Sequence, residues 1–110
     1  MSSDQVAWPA LTNFPCIVGR AATADDIANG RAAFVLRAPD GTLFGRPADV
    51  RLPQYAFYVD ESKRRVPCVL IQAEEARDQT MLGARSLTGA DIVGVRKDFE
   101  LLGDTPPRDK

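Results

Sequence analysis

The chain contains no histidine. That absence removes Ser-His-Asp and Cys-His nucleophilic catalysis, histidine-containing zinc sites, and the side chain that most often acts as a general base near neutral pH. Cysteine is scarce: Cys16 and Cys68 stand far apart, each in an apolar setting and neither in a CxxC pair. Two thiols cannot close a structural zinc site, and in a reducing compartment they are expected to pack as small buried hydrophobes. No apolar run approaches the roughly eighteen residues of a membrane-crossing helix. The start, Met1 to Gln5, lacks the basic and apolar segments of a secretion signal. A cytoplasmic protein with no membrane partner is the expectation.

Charge of one sign is also lacking. Fourteen basic residues face fifteen acidic ones, for a net charge of -1, so there is no global attraction for phosphate backbones or anionic lipid. The densest basic run, Lys63 to Arg65, directly follows Asp60, Glu61 and Ser62 and reads as a solvated loop. The glycines never fall into GxxxxGK[ST] or GxGxxG spacing, so no nucleotide cradle is visible and no cofactor is implied.

What the chain does have is β-forming sequence. Tyr55 to Val59 and Val66 to Ile71 are apolar runs rich in β-branched and aromatic residues, joined by the polar link Asp60 to Arg65; this spacing predicts a hairpin. Both of its strands carry apolar residues on both faces, as expected of a sheet interior or a covered barrel wall. Phe14 to Arg20 and Arg31 to Arg37 alternate in the same way and are predicted strands, with Pro39, Asp40 and Gly41 turning the chain so that Thr42 to Phe44 pairs back. Gly45 to Pro47 and Leu52-Pro53 bracket an irregular connection. Between the first two strands, Thr23 to Asp26 has the pattern of a helix start, with Ile27 and Ala28 facing inward and Asn29-Gly30 as the stop.

After the central hairpin, the polar stretch Glu74 to Asp78 reads as a turn and Thr80 to Arg85 as a returning strand, in which Gly83 marks a bulge or a close approach. Residues 89 to 102 fit either a helix with Ile92, Val95, Phe99 and Leu102 inward or two short strands; β-branched residues and a mid-run Gly94 favour the strands. The whole is predicted to be mainly β: a small single-domain barrel or curved antiparallel sheet of about six to eight strands with one short helix in its N-terminal half. Residues 1–13 form an extended arm that docks Trp8 and Leu11, residues 14–103 the body, and residues 104–110 a solvated tail.

Chemistry is thin. Asp25-Asp26 and Glu74-Glu75 are adjacent carboxylates, and neighbours diverge on helix and strand alike, so helix capping and surface solvation are the expected roles. Polar groups inside apolar strands must find partners, and aromatic and arginine side chains are the usual anchors of interfaces. Trp8, Tyr55, Tyr58, Gln72 and Arg85 are therefore the candidate binding residues, with no catalytic and no metal-binding residue among them. The function these features imply is noncatalytic: an accessory, regulatory or immunity-type interaction module whose partner is another protein chain or a second copy of itself. The alternative is a small-molecule site or weak enzyme built on tyrosine and carboxylate groups in a barrel mouth. Third comes single-stranded nucleic acid, with Tyr58 beside Lys63 to Arg65 as the only stacking platform.

Overall fold

One strand organises the molecule. The computed structural model describes residues 7–106, and its longest element is the twelve-residue strand Arg65–Ala76, here β3. Before it come the two-residue β1 (Arg46–Pro47) and β2 (Gln54–Val59); after it come β4 (Gln79–Ser86), β5 (Asp91–Val95) and β6 (Phe99–Gly103). All pair antiparallel in one six-stranded sheet of order β5-β4-β3-β2-β6, with β1 on β3 at Glu74 and Glu75, beyond the end of β2. The predicted hairpin is β2 and β3. Its turn is built by Asp60, whose Oδ1 accepts from the N–H groups of Ser62 and Arg64 at 2.9 Å, letting Lys63 take a left-handed φ of 66°. The C-terminal ambiguity resolves as two strands, β5 and β6, joined by the 3-10 turn Arg96–Asp98.

The sheet is curved and open. On its concave face Ala56, Cys68, Leu70, Ala73, Leu82, Ala84 and Phe99 form the main core, and the small residues among them suit the crowded side of a bent sheet. The bend is read from Gly94 on β5: a Cβ there would lie 3.2 Å from the Phe99 ring and 3.4 Å from the Tyr58 ring, although β2 and β5 are separated by two strands. Leu70, Ile71, Leu82 and Val69 are fully buried. At about 1.5–3 kcal/mol each, they place the main apolar stabilisation on the central pair β3 and β4. Burial also pushes the Cys68 thiol up to about 12, and its Sγ lies 3.5 Å from the Ala56 carbonyl. Cys16 is half-buried and also free.

The convex face is covered by the N-terminal half of the chain. Trp8, Leu11, Phe14 and Cys16 pack on Tyr55, Val69 and Ile71, so the docking of the arm by Trp8 and Leu11 agrees with expectation. Residues 1–6 of that arm and 107–110 of the tail lie outside the described residues.

Five expectations need correction. Phe14 to Arg20 is not a strand, and Arg31 to Arg37 contributes only the single bridge Arg37 to Leu43; in the second segment the main chain at Ala33 and Phe34 bonds to the Gln72 side chain of β3 in place of a ladder. Gly45 to Pro47 is less irregular than predicted, since Arg46 and Pro47 are β1. Glu74 and Glu75 are not a turn but the end of β3, with Arg77 and Asp78 making the turn. The helix α1 (Ala24–Ala28) stands where expected, with Gly30 left-handed at its end, yet it is rotated: Ile27 is 45% exposed and Asp26 is the buried residue.

Candidate functional site

A β-bulge sets the chemistry of the convex face. Leu70 pairs with Ala84 and Gln72 with Gly83, so Ile71 is an extra residue and the side-chain alternation inverts past it. Ala73 thereby joins Cys68 and Leu70 in the core, while Gln72 and Glu74 turn to the N-terminal cover. Gln72 does not share a face with Cys68 and Leu70. Its Oε1 accepts from the N–H of Ala33 at 2.8 Å and of Phe34 at 3.2 Å, and its Nε2 donates to the Phe34 carbonyl and to Glu74 Oε2, both at 2.8 Å. A side-chain amide offers the same donor and acceptor as a peptide group. Gln72 therefore replaces the neighbouring strand that Arg31 to Arg37 would otherwise require.

Two further side chains grip the N-terminal cover by its backbone, at Ala22 and Gly30. Glu74, 1% exposed, accepts from the Ala22 N–H at 2.8 Å. Its Oε1 has no hydrogen-bond partner among the described residues and lies against Gly45. Arg85 donates through Nη1 to the Gly30 carbonyl at 3.1 Å, and through Nε and Nη2 to Asp91 Oδ1. A cation at the end of a helix meets carbonyls left without intrahelical partners. Gly83 completes the close fit: a Cβ there would lie 3.1 Å from both Ala33 Cβ and Gln72 Oε1. The close approach and the bulge expected around Gly83 both occur, the bulge on the opposite strand.

Asp26 anchors α1 from within. Its carboxylate accepts from Arg20 Nη1 and Nη2 at 2.8 Å, from Arg31 Nε at 2.9 Å, and from the N–H and hydroxyl of Thr23 at 2.8 and 3.0 Å. The Arg20 hydrogen bonds first, then those from Thr23 and Arg31, hold it well below the usual carboxylate range against the opposing effect of burial. A depressed folded-state value means the stabilisation is fully present above the unfolded-chain value near 4 and is lost as pH falls below it. Because Arg20 and Arg31 are 53% and 37% exposed, solvent screens the pairs. Asp26→Asn is expected to cost about 2 kcal/mol at pH 7. In urea unfolding the gap between variant and parent should narrow markedly by pH 3; a gap unchanged with pH would contradict this role.

The five residues singled out in the sequence do not converge. Trp8 meets the rings of Tyr55 and Phe57 edge-on at 5.3 and 5.5 Å, and the buried Tyr55 donates its hydroxyl to the Pro9 carbonyl at 2.6 Å. Tyr58 lies on the other face against Phe99, centroids 5.3 Å apart. Gln72 and Arg85 hold the cover. Tyr55 and Gln72 are thus not surface anchors. Sequence reasoning missed Glu74 and Gly45; the signal for Glu74 was its i, i+2 spacing from Gln72 at the end of an apolar run.

Three open features bear on function. A groove of about 340 Å³ runs between the 3-10 turn Leu11–Asn13 and the loop before β2, with Leu11, Phe14, Leu52 and Pro53 inside and the Arg51–Asp104 pair, 2.6 Å apart, at its rim. A polar hollow of similar volume beside the central hairpin holds Tyr58, Lys63 and Lys97 with Asp60, Glu61 and Asp98. There Arg64 pairs with Asp60 and Arg65 with Glu100, so the basic run is largely neutralised. Among the described residues no group of three or more Cys, Asp or Glu is placed to hold a metal ion, and no helix is long and apolar enough to cross a membrane.

The third feature is the outer edge of β5. The Ser86 N–H donates to the Ala90 carbonyl at 2.8 Å, which marks a hydrogen-bonded pair, and such pairs alternate along an antiparallel ladder. Ile92 and Gly94 therefore exchange bonds with Ala84 and Leu82, while Asp91, Val93 and Val95 direct their main-chain groups away from β4. Val95 N–H is taken by Asp98 Oδ2 at 3.2 Å. Those of Asp91 and Val93 face outward, beside a Val93 side chain that is 42% exposed. The opposite edge, β6, presents the charged Glu100, a residue type that discourages edge pairing.

Compared with protein-family models, with curated proteins and with solved structures, the chain matches none.

Proposed function

We propose that this chain is a noncatalytic protein-interaction module that binds another polypeptide by accepting it as a strand on the β5 edge. The observation that carries this reading is the outward-facing main chain of Asp91 and Val93 next to an exposed valine: unpaired strand edges recruit a partner through backbone hydrogen bonds, and the flanking side chains select it. The internal use of Tyr55, Gln72, Glu74 and Arg85 supports it too, since the polar groups best suited to a ligand are occupied in holding the cover.

A photo-cross-linking residue placed at Val93, and at the exposed Glu61 on the hairpin tip as a control, tests this in the native cell. One discrete protein adduct from position 93 and none from position 61 is expected. Equal, diffuse labelling from both positions would refute the reading, as would measured turnover of a metabolite by the purified chain.

A further inference from the structure

Resting on that reading, we infer that the strand accepted by the β5 edge is β5 of a second copy, paired antiparallel about a two-fold axis through Val93. The outward-pointing groups allow Val93 to lie opposite Val93 or opposite Asp91 of the second copy, and the side chains decide for the first. With Val93 opposite Val93 of the second copy, the two residues exchange both N–H to carbonyl bonds, and Asp91 falls opposite Val95. Each Asp91 N–H then meets a Val95 carbonyl, which already accepts the first bond of the 3-10 turn Arg96–Asp98 and would take this one on its second lone pair. The return bond is absent, because the Val95 N–H already donates to Asp98. Four main-chain hydrogen bonds result, and a one-residue slip would lose them, since Ile92 and Gly94 turn their groups to β4.

Side chains favour the same register. Val93 of each copy lies on the same face across the axis, so two exposed apolar groups cover each other. The strand also runs from acid to base: Asp91 begins it, and Arg96 and Lys97 follow its end. Antiparallel self-pairing sets the Asp91 end of one copy beside the Arg96 and Lys97 end of the other at both ends of the interface. Arg85 occupies only Oδ1 of Asp91, and among the described residues neither Arg96 nor Lys97 is in an ion pair within 4 Å. A parallel partner, or one uniform in charge, gains no such match at both ends.

The test combines sedimentation velocity with amide exchange by NMR on the full chain over a wide concentration range. Expected is a monomer–dimer equilibrium in which the Asp91 and Val93 amides slow at least tenfold as the dimer forms, while Ile92 and Gly94 are slow throughout. Val93→Lys, which opposes two ammonium groups on the axis, should abolish the dimer while melting at the parent's temperature at concentrations where the parent is monomeric; Val93→Thr should keep it. Raised salt should weaken it through the Asp91 ends. A chain that stays monomeric with fast-exchanging Asp91 and Val93 would overturn self-pairing while leaving the edge open to a foreign strand. A monomer in which those amides are slow would overturn the edge reading itself. A dimer that survives Val93→Lys would also overturn this inference.

Discussion

Replacing Gln72 with leucine should lower the unfolding free energy by about 3 kcal/mol, although leucine is apolar, similar in length and well suited to a central strand. The amide makes four hydrogen bonds, three of them to the backbone of Ala33 and Phe34. Leucine would leave two N–H groups and one carbonyl of the cover without partners and strip Glu74 Oε2 of one of its two donors. A net hydrogen bond contributes about 1 kcal/mol, and a stranded buried group costs about 1–3 kcal/mol. Ala33 and Phe34 are only half-buried, so water recovers part of the loss, which keeps the total nearer the sum of the smaller terms. Urea unfolding monitored at Trp8 would measure it, and limited proteolysis should find new cleavage between residues 17 and 35. A loss below about 1 kcal/mol would mean that the cover is held by its apolar contacts alone.

Gly45→Ala should be comparably damaging, at about 3 kcal/mol, for a steric reason. Gly45 has no left-handed φ; what it provides is room. A Cβ there would overlap Glu74 Oε1 and come within 2.9 Å of Leu36 Cδ1 and 3.2 Å of Leu36 Cβ. Overpacking of this kind costs about 1–3 kcal/mol. Here the atom in the way is a buried carboxylate oxygen whose partner Oε2 is fixed by Ala22 and Gln72, so moving it also loosens those bonds. A double-mutant cycle isolates the cause. In a Glu74→Ala background the further penalty of Gly45→Ala should fall to about 1 kcal/mol or less; full additivity would place the damage elsewhere.

The sheet was largely legible because its strands obey rules that act locally. Tyr55 to Val59, Val66 to Ile71 and the pair around Gly94 announce themselves by β-branched and aromatic residues between polar breaks, and Thr80 to Arg85 by its place after the polar stretch; their boundaries moved by a few residues at most, apart from the extension of β3 to Ala76. The helix start at Thr23 was legible for the same reason. The cover was not. Phe14 to Arg20 and Arg31 to Arg37 have strand-like alternation, but whether a segment joins a ladder depends on what its backbone meets: at Ala33 and Phe34 it meets Gln72, while Glu74 and Arg85 hold Ala22 and Gly30 between the two segments. The extra residue Ile71 reversed the facing of everything after it, which a strict two-residue period cannot express. Glu74 looked like loop because paired acids usually are. Asp26 caps the helix start as expected, through the Thr23 N–H; its burial was not legible, and the approach of Arg20 and Arg31 makes that burial tolerable. The scattered binding residues share one cause: aromatic and polar side chains that suit an interface suit the inside of a covered sheet equally well.

The central claim is that β3 and β4 hold an irregular N-terminal cover by its backbone, through side chains, leaving β5 as the exposed edge. Native-state hydrogen exchange at Ala22, Ala33 and Phe34 tests it most directly, because each of these amides donates to a side chain of β3 and none belongs to a strand. Protection at all three approaching that of the β3 amides, and lost at Ala33 and Phe34 in Gln72→Leu, is the predicted result. Exchange at the rate of an open loop would contradict the account.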